Sequence, residues 1–171
     1  WGLERFLCAH AIMLGLEGVP AFYIHSLLGT RNDLERLAHT SHNRSINRHQ
    51  WELGALSRAL DCNASDHHAV FEALKHLIAL RKAQPAFHPN ATQFTLHLGD
   101  ELFWFWRQSH DQLHSQIYVH NLTHEEQVLP LSRLNLVVNH RWRELISGAP
   151  VEEGLPEWTL APYQTLWITN A

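Results

Sequence analysis

The apolar residues of this chain change their spacing near residues 86–91, and this change limits the fold more than any other feature of the sequence. Before it, apolar residues such as Val70 and Leu74 recur at the spacing of an α-helix. After it, Phe94 and Leu96 begin a pattern in which apolar and polar residues alternate. The sequence therefore predicts a mainly helical part followed by an antiparallel β part.

The helical part also contains one segment that is typical of a buried strand. Pro20–Leu28 is a short, nearly continuous apolar run, as expected for a parallel strand covered on both faces. Helices are predicted on either side of it, at Leu3–Leu16, Trp51–Leu60 and Val70–Ala83. Because helices flank a buried parallel strand, we predict an α/β domain remnant at residues 1–88.

The rest of the chain, residues 89–171, has the pattern of an antiparallel β-sandwich. An aromatic run at Phe103–Trp106 is predicted to lie in its core or against the helical part, because alternation buries about half of such a run. The predicted strands are Phe94–Leu98, Glu101–Gln108, Gln116–Leu122, Gln127–Leu131, Leu134–Val138, Trp142–Ile146 and Thr165–Thr169.

Composition excludes several classes of function. The formal net charge of −4 does not favour binding to the phosphate backbone of nucleic acids, and no apolar run is long enough to cross a bilayer. The chain has 15 histidines, but their spacing matches no metal site, so we expect neither a metal nor a cofactor. Two cysteines favour free thiols in the cytoplasm.

A long polar connection, Gly29–Gln50, follows the predicted strand. Because structureless connections beyond about 12 to 15 residues are uncommon in compact domains, we expect this one to be ordered and functional. It ends in Asn47, Arg48 and His49, and the guanidinium of Arg48 suits a carboxylate or neighbouring sugar hydroxyls. The alternative is that Arg48 only ties down the loop through an ion pair.

Asn32 and Asp33 lie at the exit of the predicted strand, where parallel sheets gather active-site residues. They are candidates for binding a ligand. The alternatives are an Asx turn or a cap for a helix that begins at Leu34.

Several segments resemble the sucrose phosphorylase group of the α-amylase superfamily, glycoside hydrolase family 13. Gly18–Ile24 leads to Leu27-Leu28-Gly29 and Asn32-Asp33, and Arg44–His49 matches a second loop of that group. Leu80–Lys82 with Gln84–Phe87 resembles the end of the last barrel helix. Trp142–Gly148 and Leu160–Ile168 resemble the C-terminal β domain.

The resemblance implies the last helices and strand of a (β/α)8 TIM barrel followed by the antiparallel β domain. It places Arg48 at the glucosyl subsite, with Asn47, His49, Asn32 and Asp33 around it. The sequence of residues 24–29 resembles most the same segment in relatives that act on glucosylglycerate or phosphorylated sucrose.

The same resemblance implies the reaction of the full-length parent. Such enzymes form a covalent glucosyl intermediate on an Asp and transfer the glucosyl group to phosphate with retained configuration. Their three catalytic carboxylates precede the segment seen here, so this chain carries no catalytic residue and is expected to be inactive alone. The expected partners are a glucoside, inorganic phosphate and the missing N-terminal barrel portion, with a second copy of the chain as a further candidate.

One alternative from a different class is a non-catalytic carbohydrate-binding or interaction β domain. In that case the rings of Phe103–Trp106 would form an exposed platform for sugar rings.

Overall fold

The computed structural model describes residues 2–97, 99–134, 136, 141–152 and 154–170. They form two compact units, one of Trp1–Pro20 with His76–Ala171 and the other of Ala21–Lys75. The boundary between the units falls within the longest helix. No helix of the described residues combines the length and the apolar character that a membrane span requires.

Five α-helices precede the β strands in the part of the chain that the structure describes. At the start of the longest one, the Ser65 hydroxyl oxygen accepts the N–H of His67 at 3.1 Å. The bounds are α1 Gly2–Gly15, α2 Ile24–Leu27, α3 Leu34–Thr40, α4 Leu53–Asp61 and α5 Asp66–Ala83, with 3-10 turns at Asn43–Asn47 and Pro85–Phe87.

The predicted strand at Pro20–Leu28 is wrong for this structure. Ile24–Leu27 forms the single turn α2, in which the N–H of Leu28 donates to the carbonyl of Ile24 at 3.0 Å. A parallel strand needs neighbouring strands to accept and donate its backbone hydrogen bonds, and all strand pairs of the described residues are antiparallel and lie elsewhere. A local turn satisfies the same groups without a neighbour.

The antiparallel β domain is confirmed. One sheet has the order β1-β2-β3-β7-β5, and a second pairs β4 with β6. The strands are β1 Thr92–His97, β2 Leu102–Gln108, β3 Ser115–Asn121, β4 Gln127–Pro130, β5 Arg143–Glu144, β6 Glu157–Leu160 and β7 Thr165–Thr169. Most of the predicted Leu134–Val138 strand lies outside the described residues, and β6 was not predicted.

One face of the larger sheet forms the sandwich core. Trp104 and Ile117 point into it from β2 and β3, as alternation requires. The other buried members are Leu102, Val119, Leu129, Leu131, Leu134, Leu160, Leu166 and Ile168.

The opposite face of the sheet packs against helical residues of the same unit. Phe105 and Tyr118 are fully buried, with ring centroids 4.6 Å apart, and Phe87 contacts Tyr118 edge-on at 5.4 Å. The aromatic run is therefore divided between two buried faces, as predicted. The four rings do not form a continuous exposed platform, since Trp104 is 5% and Phe105 0% exposed, while Phe103 and Trp106 are partly buried.

Two buried arginines of this unit bind the carbonyl groups at and beyond the C-terminal end of α1. Arg81 donates to the carbonyls of Leu14 and Gly18. Arg107 donates to those of Gly15 and Leu16, each at 3.4 Å, and also to that of His88 at 2.9 Å. Cations at this end of a helix complement its dipole and satisfy carbonyls that lack helical partners. Burial lowers the pKa of both guanidinium groups.

Candidate functional site

The polar connection 29–50 is ordered, as predicted, and it lies entirely within the second unit. It contains α3 and the 3-10 turn Asn43–Asn47. Asp33 begins α3, because its Oδ1 accepts the N–H of Arg36 at 2.8 Å. Of the alternatives for Asp33, the helix cap is the one the structure contains.

Asp33 also joins the two ends of the connection. Its Oδ2 lies 2.8 Å from Nδ1 of His49, and its backbone N–H donates to the carbonyl of Ile46 at 2.6 Å. The hydrogen bond from His49 lowers the pKa of the Asp33 carboxyl, and the N–H of Arg36 lowers it further. The carboxylate is therefore retained at neutral pH and holds the His49 ring in one orientation.

Two hydroxyl groups add to this bracing of the loop. The Tyr23 hydroxyl donates to the carbonyl of Asn47 at 2.8 Å, and the Thr40 hydroxyl donates to Oγ of Ser45 at 2.7 Å. Asn47 is thus positioned through its backbone, while its side chain is exposed.

A second polar cluster supports the start of the connection, and sequence reasoning did not find it. Nε1 of Trp51 donates to the Thr30 hydroxyl at 2.9 Å, and Nδ1 of His67 lies 2.8 Å from the carbonyl oxygen of Leu28. The Trp51 ring meets the rings of His49 and His67 edge-on, at centroid distances of 4.9 and 5.0 Å. The only signal in the sequence was a tryptophan next to the Asn-Arg-His triplet.

Arg48 differs from its neighbours because its side chain is exposed and unpaired. Its guanidinium has no hydrogen bond or ion pair with any residue that the structure describes, so the alternative of a loop-binding ion pair is not supported. Asn32 is likewise exposed. The five predicted residues thus divide into a braced pair, Asp33 with His49, and the exposed side chains of Asn32, Asn47 and Arg48.

Arg48 lines an open depression of about 460 Å³. Arg44 and His42 line it as well, with Ser41, Asn43 and Ser45, and none of these lining residues is acidic. Arg31 does not line the depression and pairs with Asp66 at 2.7 Å. The depression therefore presents two guanidinium groups with several hydroxyl and amide groups, which suits an anion or a polyhydroxylated ligand.

Metal binding has no support from the side-chain positions. Over residues 2–97, 99–134, 136, 141–152 and 154–170, no group of three or more His, Cys, Asp or Glu side chains is close enough to hold an ion.

Similar proteins were found among curated sequences. The chain is 34% identical to glucosylglycerate phosphorylase of Escherichia coli over 96% of its length and 33% identical to that of Spirochaeta thermophila over 97%. It is 36% identical to sucrose phosphorylase of Agrobacterium vitis over 50% of its length. The chain spans 28% and 30% of the two glucosylglycerate phosphorylases and 16% of the sucrose phosphorylase. No family model matches the chain.

Solved structures with the same fold are α-amylase-like. The α-amylase of Geobacillus thermoleovorans, solved with acarbose, matches 98% of this chain with a TM-score of 0.72 and 16% identity, over 33% of its own length. This likeness shows that the chain shares the fold of that part of the amylase, while the barrel portion stays a prediction. By sequence the chain is a homologue of the glucosylglycerate and sucrose phosphorylases, and it has the fold of the corresponding third of an α-amylase.

Proposed function

We propose that this chain is the C-terminal part of a retaining α-glucoside phosphorylase that transfers the glucosyl group of glucosylglycerate to phosphate. The reaction breaks the glycosidic bond and forms glucose 1-phosphate and glycerate. The match to phosphorylases named for glucosylglycerate over 96% and 97% of the chain carries this proposal. The Agrobacterium sucrose phosphorylase matches half of the chain, and that of Bifidobacterium adolescentis matches 86% at the lower identity of 25%, which favours glycerate over fructose as the leaving group.

In this proposal Arg48 binds hydroxyl groups of the glucosyl unit. Its unpaired fork is available to a ligand, and the pair of Asp33 with His49 holds the adjacent backbone. Asn47 and Asn32 supply amide groups at the rim. Arg44 adds a second positive charge near Arg48, which favours an anionic reactant such as phosphate or glycerate.

The catalytic carboxylates belong to the rest of the parent protein. We assign residues 1–88 to the end of the catalytic (β/α)8 barrel and residues 89–171 to the C-terminal β domain. The 171-residue chain alone is then inactive, needs the N-terminal barrel portion as its partner, and acts in the cytoplasm without a cofactor.

The test is glucose 1-phosphate release by the full-length parent with inorganic phosphate. The donors are glucosylglycerate, sucrose and phosphorylated sucrose, each with wild type, Arg48→Ala and a control, Arg58→Ala. Arg58 is an exposed arginine on α4 of the same unit. Losing charge-assisted hydrogen bonds to a buried sugar lowers kcat/KM by about ten- to a hundredfold, so Arg48→Ala falls by that factor while Arg58→Ala does not.

Three results would each contradict a part of the proposal. Absence of glucose 1-phosphate from all three donors would remove the phosphorylase assignment and leave only the fold. Equal activity of Arg48→Ala and Arg58→Ala would remove Arg48 from the glucosyl subsite. Release from sucrose alone would replace the proposed donor.

A further inference from the structure

The β domain contains a cavity of about 550 Å³, and none of the candidate-site residues described above lines it. Its walls include three tryptophans, Trp104 and Trp106 of β2 and Trp142 just before β5. Its volume lies within the range of about 300 to 1,000 Å³ that is usual for small-molecule sites. All of its lining residues belong to the first unit.

The aromatic walls are held in place rather than loose. The Trp106 ring is partly buried and stacks on Phe94, with centroids 5.0 Å apart and planes 26° apart. A fixed, partly exposed indole face is the surface on which the apolar face of a pyranose ring packs.

Trp104 contributes a second observation. Its side chain is 5% exposed, and Nε1 is buried with no acceptor among the residues that the structure describes. Buried indole N–H groups normally have a partner, so an unpartnered one next to a cavity calls for an acceptor atom. A sugar hydroxyl or ring oxygen is such an acceptor.

The rim of the cavity is polar. Gln108 and Gln112 line it with amide groups, and Gln112 is held at a positive φ of 61° in the turn between β2 and β3. Arg133 also lines it, with an exposed guanidinium that has no ion pair within the described part of the chain. Amides suit hydroxyl groups, and a free guanidinium suits a carboxylate or a phosphate.

We propose that this cavity binds a pyranose that carries an anionic substituent, with the ring on Trp106 and the anion at Arg133. The anion has two possible sources, the carboxylate of a glycerate-linked glucoside or the phosphate of a sugar phosphate. The proposal depends on the lining of the cavity and does not require the parent to be a phosphorylase.

The experiment is a calorimetric titration of the 171-residue chain with glucosylglycerate, glucose 1-phosphate and glucose, with tryptophan fluorescence as a second readout. The variants are Trp106→Ala and Arg133→Gln, with Arg5→Gln, a change at an exposed arginine on α1, as the matched control. Circular dichroism establishes that each variant is folded.

We expect both anionic sugars to bind more tightly than glucose, and the tighter of the two identifies the anion. Arg133→Gln lowers the affinity for the anionic sugars by about two- to fivefold, the size expected for a partly exposed charge pair, and leaves the affinity for glucose unchanged. Trp106→Ala lowers the affinity for all three sugars by about tenfold. Arg5→Gln binds like wild type.

Three results would overturn the inference. The first is no binding of any sugar at millimolar concentration by the folded wild-type chain. The second is sugar binding that neither Trp106→Ala nor Arg133→Gln changes, because the sugars would then occupy another part of the chain. The third is equal affinity for glucose and the anionic sugars with no effect of Arg133→Gln. If Trp106→Ala does not fold, the titration of Arg133→Gln alone tests the proposal.

Discussion

Helix α1 approaches the large sheet of its unit through Gly15, and a single methyl group there tests this packing. A Cβ at residue 15 would lie 2.6 Å from Cζ of Phe105 and 3.2 Å from Cδ1 of Tyr118. Both rings are fully buried, so neither can rotate into solvent. We therefore expect Gly15→Ala to push the helix and the sheet apart.

The magnitude follows from two opposing terms. Forcing one methyl group into a packed core costs about 1 to 3 kcal/mol of unfolding free energy. Replacing Gly by Ala inside a helix gains about 0.5 to 1 kcal/mol, and less at a last residue such as Gly15. The net loss is about 1 to 2 kcal/mol, which lowers Tm by about 2 to 8 °C for a chain of this length.

Thermal unfolding followed by circular dichroism measures this change. Gly2→Ala is the matched control, because a Cβ at residue 2 of the same helix has no atom within 4 Å. The double variant Gly15→Ala, Phe105→Leu should lose less than the sum of its two single changes, since the shorter side chain removes the closest contact. If Gly15→Ala were as stable as Gly2→Ala, the close approach of α1 to Phe105 would be refuted.

Two further predictions concern ionisable groups. Complete burial lowers the pKa of His120 to about 3, so the folded chain keeps it neutral while the unfolded chain binds a proton below about 6.5. The stability that neutral His120 provides to the folded chain is complete above pH 6.5 and is lost as the pH falls towards 3. Between pH 7 and 4.5, His120→Phe should therefore lose about 3 kcal/mol less unfolding free energy than wild type, as measured by chemical denaturation. An equal loss in both proteins would contradict this. For the loop, Asp33→Ala should speed hydrogen exchange of the Arg36 amide, whereas Asp33→Asn keeps an acceptor for that amide and should not; equal rates in both variants would show that the cap does not hold α3.

Local sequence patterns predicted the strands that pair with their neighbours along the chain. β1, β2 and β3 form successive antiparallel pairs, and period-two alternation located each of them to within about two residues. β6 was missed because it has four residues and pairs with β4, from which 26 residues separate it, so neither length nor spacing indicated it. The apolar run at Pro20–Leu28 failed for the opposite reason, since hydrophobicity indicated a strand but only partner strands make one.

In the candidate site, the roles of individual residues depend on a contact between the two ends of the loop, which the sequence does not reveal. Asp33 and His49 are 16 residues apart, so no periodicity connects them, and each alone was equally consistent with binding a ligand or with a structural role. Their contact makes both of them supports, because the carboxylate is already engaged by the His49 ring and by the N–H of Arg36. Arg48, adjacent to His49, is left without a partner among the described residues. Changes at Asp33 should therefore act on ligand binding through the position of Arg48, whereas changes at Arg48 remove the contact itself.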